Sequence, residues 1–464
     1  MTRSAGRSGT ADADAVVVGA GIGGLVAAHT LTARGLRVVV LEAGGRAGGP
    51  VRGGAFASLP DVPLDLGAES FAVRGGAVER LVAELGLTVE VPAGLSAWGY
   101  AAGRAFPLPA AGVLGIPSRP WAADVRRAIG WPGVLRGSLD RVLPARLVDP
   151  TDLGTLARSR LGSRVADRLV TPVAAGVHSA PLDRLDVAAV APGLLDAYAR
   201  TGSLSRAVAS LRAAAPPGSA VRGIDGGVHA LVDALVDRLD VRFGTRVAGV
   251  ERADDGAWLA HTADGQVLRT PRVVLTTPTA AEIGQGKVLE PPAPPERGAD
   301  IRLAALLVDA PELDTAPRGS GMLVAPDTAA SGVRAKALTH ATAKWPWLAR
   351  RVRAAAGPGV HVVRLSYGRM GEPTPQPTAE EAARDASALL GVDLTDRVRE
   401  VLHQRWDGAL PPPTPAYRAA VRAYEAAVLA TPGLDVTGGW IAGTGLAAIV
   451  AHAGRTAQRL GDEG

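Results

Sequence analysis

The chain holds 464 residues, 47% of them hydrophobic and 20% charged, with a formal net charge of +5. That balance excludes an intrinsically disordered chain, and at roughly 100–200 residues per domain it predicts two or three domains. The absence of cysteine excludes disulfides, cysteine-ligated zinc, iron–sulfur clusters and thiol nucleophiles, and aromatic residues at 4% with no polybasic block give no support for nucleic-acid binding. Residues 1–13 read as a disordered tail without the apolar stretch of a secretory signal, and the lack of cysteine fits a reducing compartment, so a cytoplasmic location is expected.

Ala15 to Ala33 is uncharged and long enough to suggest a membrane span, but its glycines say otherwise. Ala15–Val18 is a short, mostly β-branched run, as in a buried parallel strand. It leads into Gly19-Ala20-Gly21-Ile22-Gly23-Gly24, then a helical pattern over Leu25–Leu31 that stops at Gly35. A second strand, Leu36–Leu41, ends at Glu42. This is G-x-G-x-x-G between a strand and a helix. Gly19 permits the tight turn, Gly21 the close approach of a pyrophosphate, and Gly24 the packing of helix on strand. The first-turn amides face the diphosphate. Glu42, 18 residues after Gly24, is placed to accept both hydroxyls of an adenosine ribose. Ala43-Gly44-Gly45-Arg46-Ala47-Gly48-Gly49 follows, giving E-A-x-x-R-x-G-G. An arginine at that spacing can reach the diphosphate, and the glycine pair lets the chain pass beneath a flat ring. The spacing resembles the extended fingerprint of FAD-containing oxidoreductases of the flavin amine oxidase type, and that resemblance implies FAD rather than NAD.

A β-turn-β stretch precedes Asp65–Arg74, and Ala77–Leu87 reads as an amphipathic helix. Proline and glycine crowd residues 92–120, and Trp121–Arg212 is mostly helical. Within it Arg119–Arg146 carries many arginines with Trp121 and Trp131. It reads either as a surface touching a membrane or a partner, or as a solvated face whose tryptophans make core contacts. From Val221 the chain changes character: a helix over Val228–Leu239, an alternating strand over Val241–Val250 and another over Arg272–Thr276. Strands at Leu303–Val308 and Val360–Tyr367 precede a helix at Thr378–Leu390. Near the end, the glycine-rich Thr437–Gly445 opens a helical run over Leu446–Ala453, a second candidate flavin contact at a helix N-terminus or a plain packing helix.

The chain resembles the oxygen-dependent coproporphyrinogen III / protoporphyrinogen IX oxidase family, a branch of the flavin amine oxidase superfamily. Beyond the two fingerprints, the resemblance rests on Asp65–Arg74 (DLGAESFAVR), Thr171–Val177 (TPVAAGV), Lys344–Leu348 (KWPWL), Arg364–Arg369 (RLSYGR) and Arg405-Trp406. It implies an α/β chain with a discontinuous Rossmann-like FAD-binding domain of the p-hydroxybenzoate-hydroxylase type, from residues 14–95, 221–285 and 432–464. It also implies a mostly helical domain at 96–220 and a mixed α+β substrate-binding domain at 286–431. FAD is implied to contact Gly19, Ala20, Gly21, Ile22, Gly23, Gly24, Glu42, Ala43, Arg46, Gly48, Gly49, Gly67, Ala68, Glu69, Ser70, Val247, Trp406, Thr444, Gly445 and Leu446. The implied reaction takes six electrons from a porphyrinogen, coproporphyrinogen III before protoporphyrinogen IX, and passes them to three O2 to give three H2O2. Two departures stand out. Residues 405–417 are longer than the family's usual stretch and lack its glutamine, and Ala447 replaces a common proline. They keep alive a flavin- or porphyrin-binding protein without turnover, beside other flavin oxidases or desaturases.

No catalytic acid or base follows from hydride chemistry, which belongs to the flavin. The eight histidines form no ligand cluster, so no metal is expected; His178 and His340 are candidate proton carriers or core histidines. A flat, apolar tetrapyrrole with carboxylates at its edge calls for an aliphatic slot with an arginine clamp, for which Arg74 is the candidate. Oligomeric state is not legible.

Overall fold

The computed structural model describes residues 11–73, 75–144, 148, 152–214, 221–277, 292–293, 295–326, 332–409, 411–412 and 414–462. Ala15–Val18 is buried along its whole length and lies parallel to Val38–Leu41, with Ala15 opposite Val38. Val273–Leu275 pairs on its other side, and Asp240–Arg242 and Leu434–Val436 complete a five-stranded parallel sheet. Three widely separated stretches of sequence thus meet in one sheet. Parallel strands need cover on both faces. One face receives the helices Ile22–Ala33, Ala77–Glu84, Ala230–Val236 and Leu446–Asp462 around Leu25, Leu31, Leu231 and Ile449. The other receives an antiparallel sheet of Val247–Arg252, Trp258–Thr262 and Val267–Thr270, with Trp258 at its centre.

The strand expected over Val241–Val250 is two strands in two sheets. Gly244, at φ +66°, turns the chain between them, which a residue with a Cβ would resist. The apparent membrane stretch is a strand, a turn and a helix.

A seven-stranded mixed sheet forms the second layer, in the order Val398–Ala409, Ala299–Asp309, Val360–Tyr367, Ala337–His340, Gly321–Val324, Ala97–Ala101 and Arg104–Pro107. Helix Ala379–Leu390 covers one face, started by a capping box between Thr378 and Glu381. Pro346–Ala356 covers part of the other, setting Trp347, Leu348 and Val352 against Phe56 and Leu64 of the hairpin Gly53–Asp65.

Two boundaries differ from the sequence expectation. Residues 97–107 pair into this sheet, because Val324 lies beside Tyr100 in a parallel ladder that local sequence cannot announce. Helix Pro415–Leu429 packs Tyr424 and Val428 on the five-stranded sheet instead of the seven-stranded one.

The remaining helices, from Ala123 to Ala214, close around Leu153, Leu156, Leu169 and Val208. A buried ion pair ties them. Arg160 Nε donates to Asp140 Oδ1 at 2.8 Å, both side chains having no exposure. Asp140 also accepts from Ser203 Oγ and from the amides of Leu204 and Ser205, capping helix Leu204–Ala214.

Candidate active site

The first glycine turn is shaped partly by packing and partly by what it must admit. Gly19 sits at φ +100°, and a Cβ there would stand 2.5 Å from Thr276 Oγ1. A Cβ on Gly24 would stand 2.1 Å from the Gly19 carbonyl oxygen, so this glycine is demanded by helix-on-strand contact. Gly21 has no protein atom within 4 Å of the corresponding point. The protein thus leaves open, beside that bare backbone, the space that a pyrophosphate cradle requires.

Glu42 ends the second strand beside that turn. Its Oε2 accepts from Ala20 N at 2.8 Å and its Oε1 from Gly44 N at 2.7 Å, while Ala43 is exposed. Thr245 N donates to the Glu42 carbonyl at 2.8 Å, which brings 245–247 alongside. Val247 itself is buried in the core between the two sheets.

Gly48 N donates to Ala20 O at 2.8 Å, and Gly48 and Gly21 form a parallel bridge, so the second fingerprint runs back beneath the first. Arg46 donates to the carbonyls of Ala47 and Gly49 and lies 5.6 Å over the ring of Trp406. Burial, then Arg52, lower its pKa. The Trp406 indole N–H donates to Leu66 O at 2.9 Å. Residues 46, 66 and 406, far apart in sequence, therefore share one wall.

Gly67 is pinned under Pro50: a Cβ would fall 1.8 Å from the Pro50 carbonyl oxygen. Glu69, expected at the flavin, has its side chain engaged elsewhere. It pairs with Lys344, and its Oε2 lies 2.7 Å from Arg364 Nη2. Burial would raise its pKa, but Arg364 and then Lys344 outweigh that and hold it at about 2. Arg364 also donates to Asp65 O at 2.6 Å. This cluster fastens loop 67–70 to the seven-stranded sheet, while Ala68 packs against the core under the helical layer. Lys344 and Arg364 stand inside the KWPWL and RLSYGR motifs, but their joint role was not legible, because nothing local pairs them with Glu69.

At the other end, Gly438 abuts Gly23: a Cβ on Gly23 would stand 2.9 Å from Gly438 Cα. Gly443, Thr444 and Gly445 are exposed, and Leu446 enters the core as the last helix begins. Two helix N-termini, at Ile22 and Leu446, thus come from helices packed in one cluster. The residues fit a flavin dinucleotide: a glycine cradle open where the pyrophosphate belongs, a ribose acid at its edge, and an arginine and a tryptophan along the ring side.

Arg74 lies outside the described residues. His340 is fully buried with its Nε2 3.2 Å from His361 Nδ1; burial, with His361 adding, drives its pKa to about 3. Burial likewise lowers that of His178. His340 is thus held neutral in the core, whereas His178 is only half-buried. Lys336, unremarked in the sequence, is 4% exposed and bonds Ser179 Oγ.

The chain belongs to the family of flavin-containing amine oxidoreductases, whose model matches residues 22–307. It is a flavin-dependent oxidoreductase with FAD as its cofactor, on a flavin amine oxidase-type fold of mixed α/β content. It is 29% identical to the coproporphyrinogen III oxidase of Mycobacterium leprae over 96% of this chain and 97% of that one. The coproporphyrinogen III oxidase of Mycobacterium tuberculosis H37Rv is 30% identical, over 95% of each. Among solved structures, a candidate protoporphyrinogen oxidase from Exiguobacterium superposes with a TM-score of 0.78 at 22% identity, over 98% of this chain and 100% of that one. Reduced UDP-galactopyranose mutase does so at 0.69 and 14%, over 97% and 95%.

Proposed function

We propose that the protein is an FAD-dependent oxidase that converts coproporphyrinogen III to coproporphyrin III in haem biosynthesis, in the cytoplasm. The observation that carries this reading is the likeness to coproporphyrinogen III oxidases over nearly the whole of both chains, the seven-stranded sheet included. Bound there, FAD would supply two-electron hydride acceptance and reoxidation by dioxygen, with three rounds balancing one porphyrin against three H2O2.

The protein's part is to hold and to exclude. Segments 14–73, 75–95, 221–277 and 432–462 form the FAD-binding domain, with helix Pro415–Leu429 packed on its sheet. Gly19 to Gly24 and Arg46 hold the diphosphate, Glu42 the ribose, and Val247 the adenosine end. Gly48, Gly49, residues 67–70, Trp406 and Thr444 to Leu446 frame the ring. The Glu69–Lys344–Arg364 cluster locks loop 67–70 against the sheet, setting the depth of the slot in which a meso carbon meets the ring and from which water is kept. Arg74 clamps a substrate carboxylate.

The test supplies coproporphyrinogen III to the purified yellow protein under air, following porphyrin fluorescence and peroxide. Turnover at near three peroxides per porphyrin is expected. A protein that binds FAD yet produces neither signal would refute the reading. A higher kcat/KM on protoporphyrinogen IX would favour that second substrate.

A further inference from the structure

Several buried or mostly buried cations of the molecule are matched by an acid: Arg160 by Asp140, Arg302 by Asp407, Lys344 and Arg364 by Glu69. Lys336 differs. It is buried, its ammonium group donates to the Ser179 hydroxyl, and among the described residues it has no ion pair. Burial, with the nearby charge of Arg369 adding, brings its pKa down to about 7. Arg369 is itself half-buried and donates to the Val324 carbonyl at 3.2 Å. Burial lowers its pKa too, and the acid that opposes this, Glu372, is exposed. Two cations held together away from water without an acid between them cost stability, and such charge is kept where an anion comes to it.

The pair sits on the seam between the helical unit and the seven-stranded sheet, where two motifs meet. Ser179 follows the TPVAAGV stretch, whose run Ala166–Ala175 is a π-helix, and Arg369 closes RLSYGR. Met370 N donates to Ser179 O at 2.9 Å. Ser179 stands at φ 55°, a left-handed conformation that costs a residue with a Cβ, and bonds on its carbonyl and its hydroxyl hold it there. Lys336 immediately precedes strand Ala337–His340. Further along that strand the Thr339 hydroxyl donates to Glu69, the residue that fastens loop 67–70. Lys336 and Thr339 are three positions apart, about 10 Å of extended chain. A flat substrate seated beside loop 67–70 and lying along this strand carries its edge carboxylates toward the seam.

We infer that Lys336 and Arg369 form a carboxylate-binding subsite at the end of the substrate slot nearest the helical unit, taking a propionate of the porphyrinogen other than the one assigned to Arg74. The inference rests on the porphyrinogen reading above. A carboxylate bound there gains charge-assisted hydrogen bonds from both side chains and neutralises the charge that the fold leaves without an acid.

The test measures, by porphyrin fluorescence in one detergent buffer, the binding of coproporphyrin III and of its tetramethyl ester to the FAD-loaded wild type, Lys336→Met and Arg369→Gln. Each variant should raise the Kd of the tetra-acid about tenfold and that of the uncharged ester less than about twofold. Lys336→Arg should recover part of the loss. Flavin content and thermal midpoint report folding, and Lys336→Met should bind the acid more weakly while melting no lower than the wild type at slightly acid pH. KM for coproporphyrinogen III should rise with the Kd of the acid. Unchanged binding of the acid in both variants, or equal losses for acid and ester, would overturn the subsite. If the wild type still turns over coproporphyrinogen III, the subsite alone falls; a flavin-loaded wild type that neither binds the tetra-acid nor turns over the porphyrinogen removes the porphyrinogen reading along with it.

Discussion

Glu69 is one side chain on which two layers of the molecule are joined. Its carboxylate, Lys344 and Arg364 are all mostly buried, at 14%, 18% and 15% side-chain exposure. Glu69→Gln leaves two buried cations without their counter-charge, and urea denaturation should show a loss of about 3–5 kcal/mol. The pH dependence follows from the depressed pKa. The carboxylate's contribution is complete above its ordinary value of 4.5 and is lost as pH falls through about 2. Acid titration of stability in that window should be steeper for the wild type than for Glu69→Gln. Lys336 works in the opposite sense. Burial, with Arg369 adding, lowers its pKa from 10.5 to about 7. The penalty of charging it in the fold is full below about 7 and disappears as pH rises toward 10.5. Lys336→Met should therefore raise the melting temperature at slightly acid pH, with the gain shrinking in alkali; an equal gain at both would refute this account.

Among the elements, the first strand-turn-helix was readable because its constraints are local: a buried β-branched run, a glycine spacing set by helix-on-strand contact, and an acid at the next strand's end. Gly24→Ala pushes a methyl toward the Gly19 carbonyl and should drive the helix off the strand, so that the protein purifies with little flavin and a stability loss of about 1–3 kcal/mol. The helical unit hides its fastening better. Asp140 sits in a short turn with no motif around it, yet it neutralises Arg160 and caps the helix starting at Leu204. Asp140→Ala should cost about 3–5 kcal/mol by denaturant titration, because Arg160 has no exposure through which water could replace the lost partner.

Across the whole molecule, FAD should act as a staple, since its implied contacts come from segments of the chain that meet only in the fold. FAD at about 100 times its Kd adds about 2.7 kcal/mol to stability, and a thermal shift on adding FAD to flavin-free protein should report it. Glu42→Ala should weaken FAD binding about tenfold and shrink that shift. The sequence by itself determined the dinucleotide fingerprint, the flavin preference and the family, because glycine placement and strand–helix alternation act over a few tens of residues. Tertiary structure alone decided the pairing of Glu69 with Lys344 and Arg364, the meeting of Arg46 with Trp406, the entry of residues 97–107 into the second sheet and the outward turn of Trp131. Each depends on which distant surfaces bury one another, and a one-dimensional pattern carries no information about the partner on the far side of a contact.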